Sequence, residues 1–527
     1  MRSPAWRSDR TILDGSVGAV TRRSLLAATA MGIAAGTGRA AAAPRGQLTY
    51  GVHVSLAPSW FDPGEAAGII TPYMLLYGLH DALVKAMPDS KQAVSLAESY
   101  TASEDGLTHD FVLRRASFHN GDPVTSDDVK FSFERYHGAS QSLLKQRVAA
   151  VETPDAQHVR FRLKEPWPDF LTFYAGVSGA AWIVPRKYVT QVGDEGFKKA
   201  PIGAGPYRFV SFSPGIELVL EAFDGYWRQT PSVKRLVMKV IPEEATRLAA
   251  LRRGEIDIAY SIRGELAGEL EQTPGLTLKA VVLQGVFCLY FVDQWDPKSP
   301  WYDVRVRRAA NLAIDRNTIN DALTRGYSRV TNSPFIPDMF EFFWQPPPAV
   351  YDPEQAKQLL AAAGYPNGFD AGFYNCDSSY ANLGEAVVNN LGEVGIRTKL
   401  RPLERAAYIK AFAEKSYKNI IQAGPAGFGN AATRLESHAV TGGTFTYGTY
   451  PDLDALFQQQ ASELDYKRRE AILHQMQQIV YERAIYAPIW QLGFLNGIGP
   501  RVAESGFGRI PGFPYTAPFD ELALKAG

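Results

Sequence analysis

The chain reads as an α/β protein of two or three domains, with an antiparallel portion near its start and alternating strands and helices after it. Three observations carry that reading. At 527 residues it is too long for one hydrophobic core. Between residues 107 and 164 apolar and polar residues alternate with period two, the mark of half-exposed antiparallel strands. Beyond residue 248 short apolar strand segments alternate with helix-period segments, which implies a mostly parallel sheet with helices on both faces. The composition agrees with a folded chain, at 46% hydrophobic, 21% charged and 12% aromatic, and excludes disorder, coiled coil and collagen-like architecture. Lys plus Arg and Asp plus Glu each total 55, so no basic field points to nucleic acid.

Taken in order, residues 1–42 hold six Arg (2, 7, 10, 22, 23 and 39), two Asp and neither Lys nor Glu. Thr21-Arg22-Arg23-Ser24-Leu25-Leu26 opens a weakly apolar run from Leu25 to Gly38, too short to span a bilayer. Ala40-Ala41-Ala42 then offers an A-x-A cleavage site. Paired arginines before a mild Gly- and Ala-rich run resemble a twin-arginine export signal, the alternative being the basic start of a general secretory signal. On either reading the chain is exported to the periplasm and its signal removed, leaving 55−6 = 49 basic and 55−2 = 53 acidic residues. No cysteine stands near the cleavage site, so no lipid anchor is expected, and no later apolar stretch reaches the roughly 18 residues of a membrane span. The two cysteines, Cys288 and Cys376, could bridge in an oxidising compartment or stay as buried free thiols.

Residues 47–54 read as a strand stopped by Pro58 and Pro63. Leu107, His109, Phe111 and Leu113 form one face of a second strand, and Val159, Phe161 and Leu163 one face of a third. Between these, Thr125-Ser126-Asp127-Asp128 is a capping box opening a helix that buries Val129, Phe133 and Tyr136. Leu248 and Leu251 lie on a helix ended by Gly254, before a short strand at Ile256–Ala259. Asp303 caps a helix through Ile314. Asp352-Pro353-Glu354-Gln355 starts another, with Ala356, Leu359, Leu360 and Ala363 as its buried face and Gly364 as its stop. Val387, Leu391 and Val394 mark a further helix, and Ile472, Met476, Ile479 and Val480 a longer one.

Catalytic motifs are missing. There is no HExxH, no G-x-S-x-G and no phosphate loop. Gly203-Ala204-Gly205-Pro206 has the glycines of a tight turn, but Pro206 lacks the N–H a phosphate cradle needs. The eight His (53, 80, 109, 119, 137, 158, 438 and 474) never fall at helical metal-ligand spacing, and the paired acids Asp127-Asp128 and Glu243-Glu244 sit at helix starts where the dipole accounts for them.

Several segments in order resemble the family 5 extracellular solute-binding proteins of ABC importers, the group of dipeptide, oligopeptide and nickel binders. They are Leu96–Tyr100, Asp105–Thr108, Phe111–Arg114, Phe118–Gly121, Val124–Val129, Gly203–Tyr207, Gly225-Tyr226-Trp227, Leu251–Asp257, Asp303–Ala309, Ala313–Arg316, Tyr351-Asp352-Pro353 and Ala363–Pro366. The resemblance implies a two-lobed periplasmic-binding-protein fold of type II, with an extra antiparallel subdomain and the ligand in the cleft between lobes. Residues 45–85, 200–290 and 488–527 would form one lobe, 86–199 its small subdomain and 291–487 the second lobe, with chain crossings near 290 and 487 as hinge. It also implies a non-catalytic receptor that passes a small solute to ABC transporter permease subunits of the inner membrane. A monomer without cofactor or metal is expected.

In such folds, loops at strand ends hold the ligand. Trp60, Phe61, Trp295, Asn375, Asp377 and Tyr380 follow expected strands and are candidates for the cleft, while Gly205, Tyr207 and Trp227 are expected to be scaffold. Peptide-binding relatives carry an Asp after a Gly-Trp pair that fixes the peptide's α-ammonium. Here the stretch reads Ala426-Gly427-Phe428-Gly429-Asn430-Ala431 and that Asp is absent. Phe428 and Asn430 remain ligand candidates, and Arg434 could pair with a carboxylate or phosphate. Ordinary free-amine peptides are therefore not the expected cargo; modified or blocked peptides, opine-like conjugates, oligosaccharides and other organic solutes stay open. Two alternatives are a nickel-type metal or metal-chelate receptor, which needs His53, His119 or His438 to converge on the cleft, and an exported hydrolase with a catalytic group assembled there.

Overall fold

The computed structural model describes residues 43–65, 73–138, 140–176, 179–424 and 429–526; the expected export signal, 1–42, lies outside them. The first strand, β1 (Arg45–Val52), starts exposed and ends with five buried residues, so it is covered on both faces. The chain then builds an antiparallel sheet from β2 (Ala97–Ala102), β3 (Thr108–Leu113), β4 (Val148–Asp155) and β5 (His158–Leu163), in the order β2-β3-β5-β4. Its buried face is the one the alternation predicts: His109, Phe111 and Leu113 beside Val159, Phe161 and Leu163. Helix α1 (Ser126–Arg135) covers that face, with Phe133 edge-on to Phe161 at 5.5 Å. The Asp128 carboxylate accepts from Thr125 N at 2.9 Å and Thr125 Oγ1 at 2.7 Å, which starts the helix.

The chain returns to β1 through Gly203-Ala204-Gly205-Pro206. A Cβ on Gly203 would lie 1.9 Å from the Leu79 carbonyl oxygen, and one on Gly205 2.5 Å from that of Gly78, so only glycine permits this approach. His119 stitches the turn: Gly203 N donates to its Nδ1 (3.2 Å) and its Nε2 bonds the Gly205 carbonyl (3.0 Å). Strands β6 (Tyr207–Ser213), β7 (Glu217–Ala222) and β8 (Val233–Val240), helix α2 (Glu244–Arg252), β9 (Ile258–Ala259) and α3 (Gly264–Gln272) complete the first lobe's framework before the long strand β10 (Thr277–Phe291).

The second lobe comprises α4 (Val304–Ala313), α5 (Arg316–Thr324), α6 (Pro353–Ala362), β11 (Phe369–Asp377), α7 (Ala381–Glu393), β12 (Ile396–Leu403), β13 (Ile420–Ala423), α8 (Ala431–Ala439) and α9 (Tyr466–Glu482); β14 (Tyr486–Ile498) then leads back. Asp303 and Asp352 cap α4 and α6, accepting from Arg305 N and Gln355 N, each at 2.8 Å. Helix α6 buries Ala356 and Leu360, with Leu359 and Ala363 half-buried at the margins of that face.

One sheet runs through both lobes in the order β6-β7-β8-β1-β9-β14-β10-β13-β11-β12. Only β8-β1-β9 and β13-β11-β12 are parallel, which corrects the expectation of a mostly parallel sheet. The reason is topological: β10 carries the chain out of the first lobe and β14 brings it back, so the central pair is antiparallel, from Thr277 opposite Ile498 to Tyr290 opposite Tyr486. Its register breaks between Val282 and Val286, where the lobes meet. The buried apolar clusters divide along the same line: one gathers Leu48, Phe111, Leu236 and Tyr260, another Leu289, Trp301, Tyr374 and Ile489. Cys288 and Cys376 are free and buried, which pushes their thiols up to about 12 and about 11 and removes the bridge as an option in this structure. Among the described residues no helix is long and apolar enough to cross a membrane.

Candidate functional site

The parallel strands of each lobe point their C-terminal ends into the space between lobes, the place where α/β sheets bind ligands. From the first lobe come Glu244 at the start of α2 and Ser261, Arg263 and Glu265 after β9; from the second come Ser379, Tyr380 and Asn382 after β11. Together they enclose a cavity of about 390 Å³ over a floor of Phe287 on β10 and Trp490, Leu492 and Phe494 on β14. We call it the hinge cavity. Trp490, Leu492 and Phe494 share one face of their strand because side chains alternate. Tyr380 packs edge-on to Phe287 at 4.9 Å. Burial raises the Tyr380 phenol, and the Arg263 and Arg405 charges oppose that rise, so a cation of the first lobe acts on a phenol of the second.

A second cavity, of about 340 Å³, lies toward the small subdomain and is lined by Tyr77, Trp182, Gln284, Met339, Glu341 and Asn430, among others. Gln284 is buried and its Nε2 has no hydrogen-bond partner among the described residues, nor has Trp490 Nε1 in the hinge cavity. Buried donors of that kind are where a ligand acceptor gains most. Burial and the nearby Asp169 raise the Glu341 carboxyl.

The lobes touch at both ends of the cleft. Near the hinge, Glu271 on α3 accepts from Arg325 Nε (2.9 Å) and Tyr327 Oη (2.7 Å). At the far end Asp169 of the subdomain accepts from Asn430 Nδ2 at 2.6 Å and from Arg469 Nη2 at 2.5 Å. Arg469 also bonds Gln460 and lies over the Phe342 ring.

The residues singled out in the sequence divide into three groups. Tyr380 and Asn430 line the cavities, one each. Asn430 also caps α8, its Oδ1 accepting from Thr433 N at 3.1 Å. Asp377 stands at the end of β11, buried, accepting from Ser379 N and paired with Arg405 at 2.7 Å. The others turn elsewhere. Phe61 is fully buried edge-on to Phe209 and Phe212, and Trp60 packs half-buried on the same core. Trp295 packs at a tilt against Tyr450, ring centres 4.9 Å apart, on the second lobe. Asn375 donates to the Lys418 and Ile420 carbonyls inside the sheet. Arg434 is buried with its Nε on the Phe335 carbonyl, and burial pushes it down to about 10. A residue that follows a strand can still point into the core, and for these the core took the side chain. Phe428 lies outside the described residues.

The three histidines do not meet. His119 holds the glycine turn, and His438 stacks on Phe335 with Nδ1 on the Arg434 carbonyl. His53 follows β1, half-buried against Tyr515 with its ring 4.8 Å away. Burial first, then the Arg247 and Arg263 charges, lower it to about 4. The floor residues Phe287, Trp490 and Phe494, the wall residue Arg263 and the lobe-bridging Asp169 and Arg469 escaped the sequence reading. The aromatic spacing at 490 and 494 was a usable signal. Asp169 and Arg469, 300 residues apart, carried none.

The chain is similar to known proteins along most of its length. A model of the bacterial extracellular solute-binding proteins, family 5 Middle, matches residues 92–445. The chain is 26% identical to heme-binding protein A of Haemophilus influenzae over 79% of its own length and 82% of that protein's. It is 27% identical to a probable di/tripeptide-binding protein 5 of Pseudomonas aeruginosa, over 85% and 91%. Among solved structures, that of the PBP AgaA of A. tumefaciens R10 with agropinic acid superposes with a TM-score of 0.71 at 25% identity, covering 92% of this chain and 99% of that one.

Proposed function

The chain belongs to the bacterial extracellular solute-binding proteins of family 5, and from that premise we propose that it is a periplasmic receptor which closes two lobes over a small organic solute and delivers it to an ABC permease. The observation that carries the reading is the hinge cavity, about 390 Å³, whose walls come from strand ends of both lobes over an aromatic floor. The lobes correspond to 45–85, 200–290 and 488–527 on one side and 291–487 on the other, with 86–199 as the subdomain; β10 and β14 are the hinge, which absorbs a rigid-body closure. Tyr380 contacts the solute in the hinge cavity, Asn430 lines the second cavity toward the subdomain, and Asp377 holds Arg405. No reaction is catalysed, and closure is driven by the solute's higher affinity for the closed form. The twin-arginine segment directs export, and the exported chain acts as a monomer.

Native mass spectrometry of the protein purified gently from its own periplasm tests this. A retained small molecule that is lost on denaturation is the expected result. Turnover of a compound, with no molecule retained and no solute raising the unfolding temperature, would refute the receptor reading.

A further inference from the structure

We propose that the hinge cavity selects solutes bearing a carboxylate, which Arg263 binds while the aromatic floor covers an apolar body. The inference rests on the receptor reading and adds the chemical class of its ligand.

Arg263 follows β9 and is exposed at the cavity wall. Its backbone N–H donates to Glu244 Oε1, whereas its guanidinium makes no hydrogen bond or ion pair with any described residue. Its planar donors, which match a carboxylate fork, are left for a ligand. Beneath it lies Arg247, 2% exposed. Its guanidinium donates only to backbone carbonyls, those of Tyr260 (2.9 Å), Ile241 (2.8 Å), Pro242 (2.7 Å) and Ser261 (2.6 Å). So a buried cation with no carboxylate in contact stands behind an unpaired one at the surface.

The negative groups nearby are already placed. Glu244 and Glu265 line the cavity, both in the first turn of a helix where the dipole favours them, and Glu244 is bound to the Arg263 backbone. Across the cleft the second lobe lines the cavity with Tyr380, Ser379 and Asn382, neutral groups that donate hydrogen bonds. Its nearby acid, Asp377, is held by Arg405. His53, lowered chiefly by burial, is lowered further by the Arg247 and Arg263 charges. A carboxylate on Arg263 would find the floor of Phe287, Trp490, Leu492 and Phe494 under whatever it carries.

The probes are N-acetyl-L-phenylalanine, its neutral amide and phenyl phosphate, titrated by ligand-observed NMR against the refolded, solute-free protein. The acid is expected to bind roughly tenfold or more tightly than the amide, the scale of charge-assisted hydrogen bonding. Arg263→Gln should erase that preference, Arg263→Lys keep part of it, and Arg468→Gln, an exposed arginine outside both cavities, leave it intact. Equal binding of acid and amide, a preference that survives Arg263→Gln, tighter binding of phenyl phosphate than of the acid, or silence of all three probes overturns the inference. A neutral or cationic solute found by native mass spectrometry also overturns it and leaves the receptor reading standing.

Discussion

Asp169→Asn removes the carboxylate that ties the lobes together at the far end of the cleft. In the closed arrangement that carboxylate accepts from Asn430 at 2.6 Å and from Arg469 at 2.5 Å, and the Asp169 and Arg469 side chains are 12% and 5% exposed. Removing one partner of a buried ion pair costs about 3–5 kcal/mol when the survivor stays buried. Here the survivor has an exit, because opening the lobes returns Arg469 to water. The loss therefore falls on closure and not on the fold of either lobe. Taking about 3 kcal/mol for the closed state, solute affinity should weaken roughly 150-fold, since about 1.4 kcal/mol is a factor of ten. The assay is calorimetric titration with the solute that native mass spectrometry identifies, beside small-angle scattering of the loaded protein. The variant should show a larger radius of gyration at solute concentrations that compact the wild type. The solute-free unfolding free energy should change by less than about 1 kcal/mol, as for a surface substitution. Affinity within threefold of wild type, with unchanged compaction, would refute the reasoning. So would equal loss of affinity and solute-free stability, which would make Asp169 a folding residue.

Three further outcomes follow from the structure. His53, His80 and His119 are lowered to about 4, about 4 and about 3, chiefly by burial, from an ordinary value of 6.5. The unfolded chain binds these protons first as pH falls, so the stabilisation is complete above about 6.5 and lost below it. These three contribute a slope of about 4 kcal/mol per pH unit near pH 5, and His109 and His438, also lowered by burial, steepen it further, which urea unfolding at pH 7, 6, 5 and 4.5 would read. Gly203→Ala drives a Cβ to 1.9 Å from the Leu79 carbonyl; soluble yield should collapse or the unfolding temperature drop by more than about 10 °C, as differential scanning fluorimetry would show. Tyr380→Ala should weaken solute binding about tenfold, the scale of a buried aromatic anchor, while Tyr380→Phe stays near wild type by the same titration.

What could be read ahead of the structure was local. Asp128 behind Thr125 and Asp352 before Pro353 are contacts within three residues, so the sequence shows both partners at once. The alternation of 107–113 and 158–164 named the buried faces because period two leaves a strand little choice. The position of ligand candidates was readable only as far as the strand ends. Tyr380 and Asn430 line the cavities as loop residues near strand ends can, but Phe61 was taken by ring packing, while Asn375 falls within β11 and Arg434 within α8, where backbone carbonyls hold them. A loop residue's direction is set by which neighbours need filling, and those neighbours come from remote segments. The antiparallel central pair was hidden for the same reason: nothing local in β10 announces that its partner begins about two hundred residues later.

The two ends of the cleft use different chemistry, and the difference assigns the work of closure. Glu271 meets Arg325 and Tyr327 beside the crossing strands, with Arg325 40% and Glu271 28% exposed. Exposed pairs of that kind contribute about 1 kcal/mol or less and are screened by salt. Close to the hinge they also move little as the lobes swing. Asp169 and Arg469 instead bridge the subdomain and the second lobe with both side chains buried, Arg469 at 5% and Asp169 at 12% exposure. A latch strong enough to hold alone would shut the receptor without solute; one that depends on an occupied cavity would not. Asn430 belongs to both, since it lines the second cavity and donates to Asp169. Filling that cavity therefore restrains a side chain the latch requires, and by linkage forming the latch raises affinity for whatever fills it. Whatever fills the second cavity is coupled to the latch through that shared residue, one carboxamide donating from the cavity wall to a carboxylate of the subdomain, while a solute in the hinge cavity acts on closure through the walls that both lobes lend it.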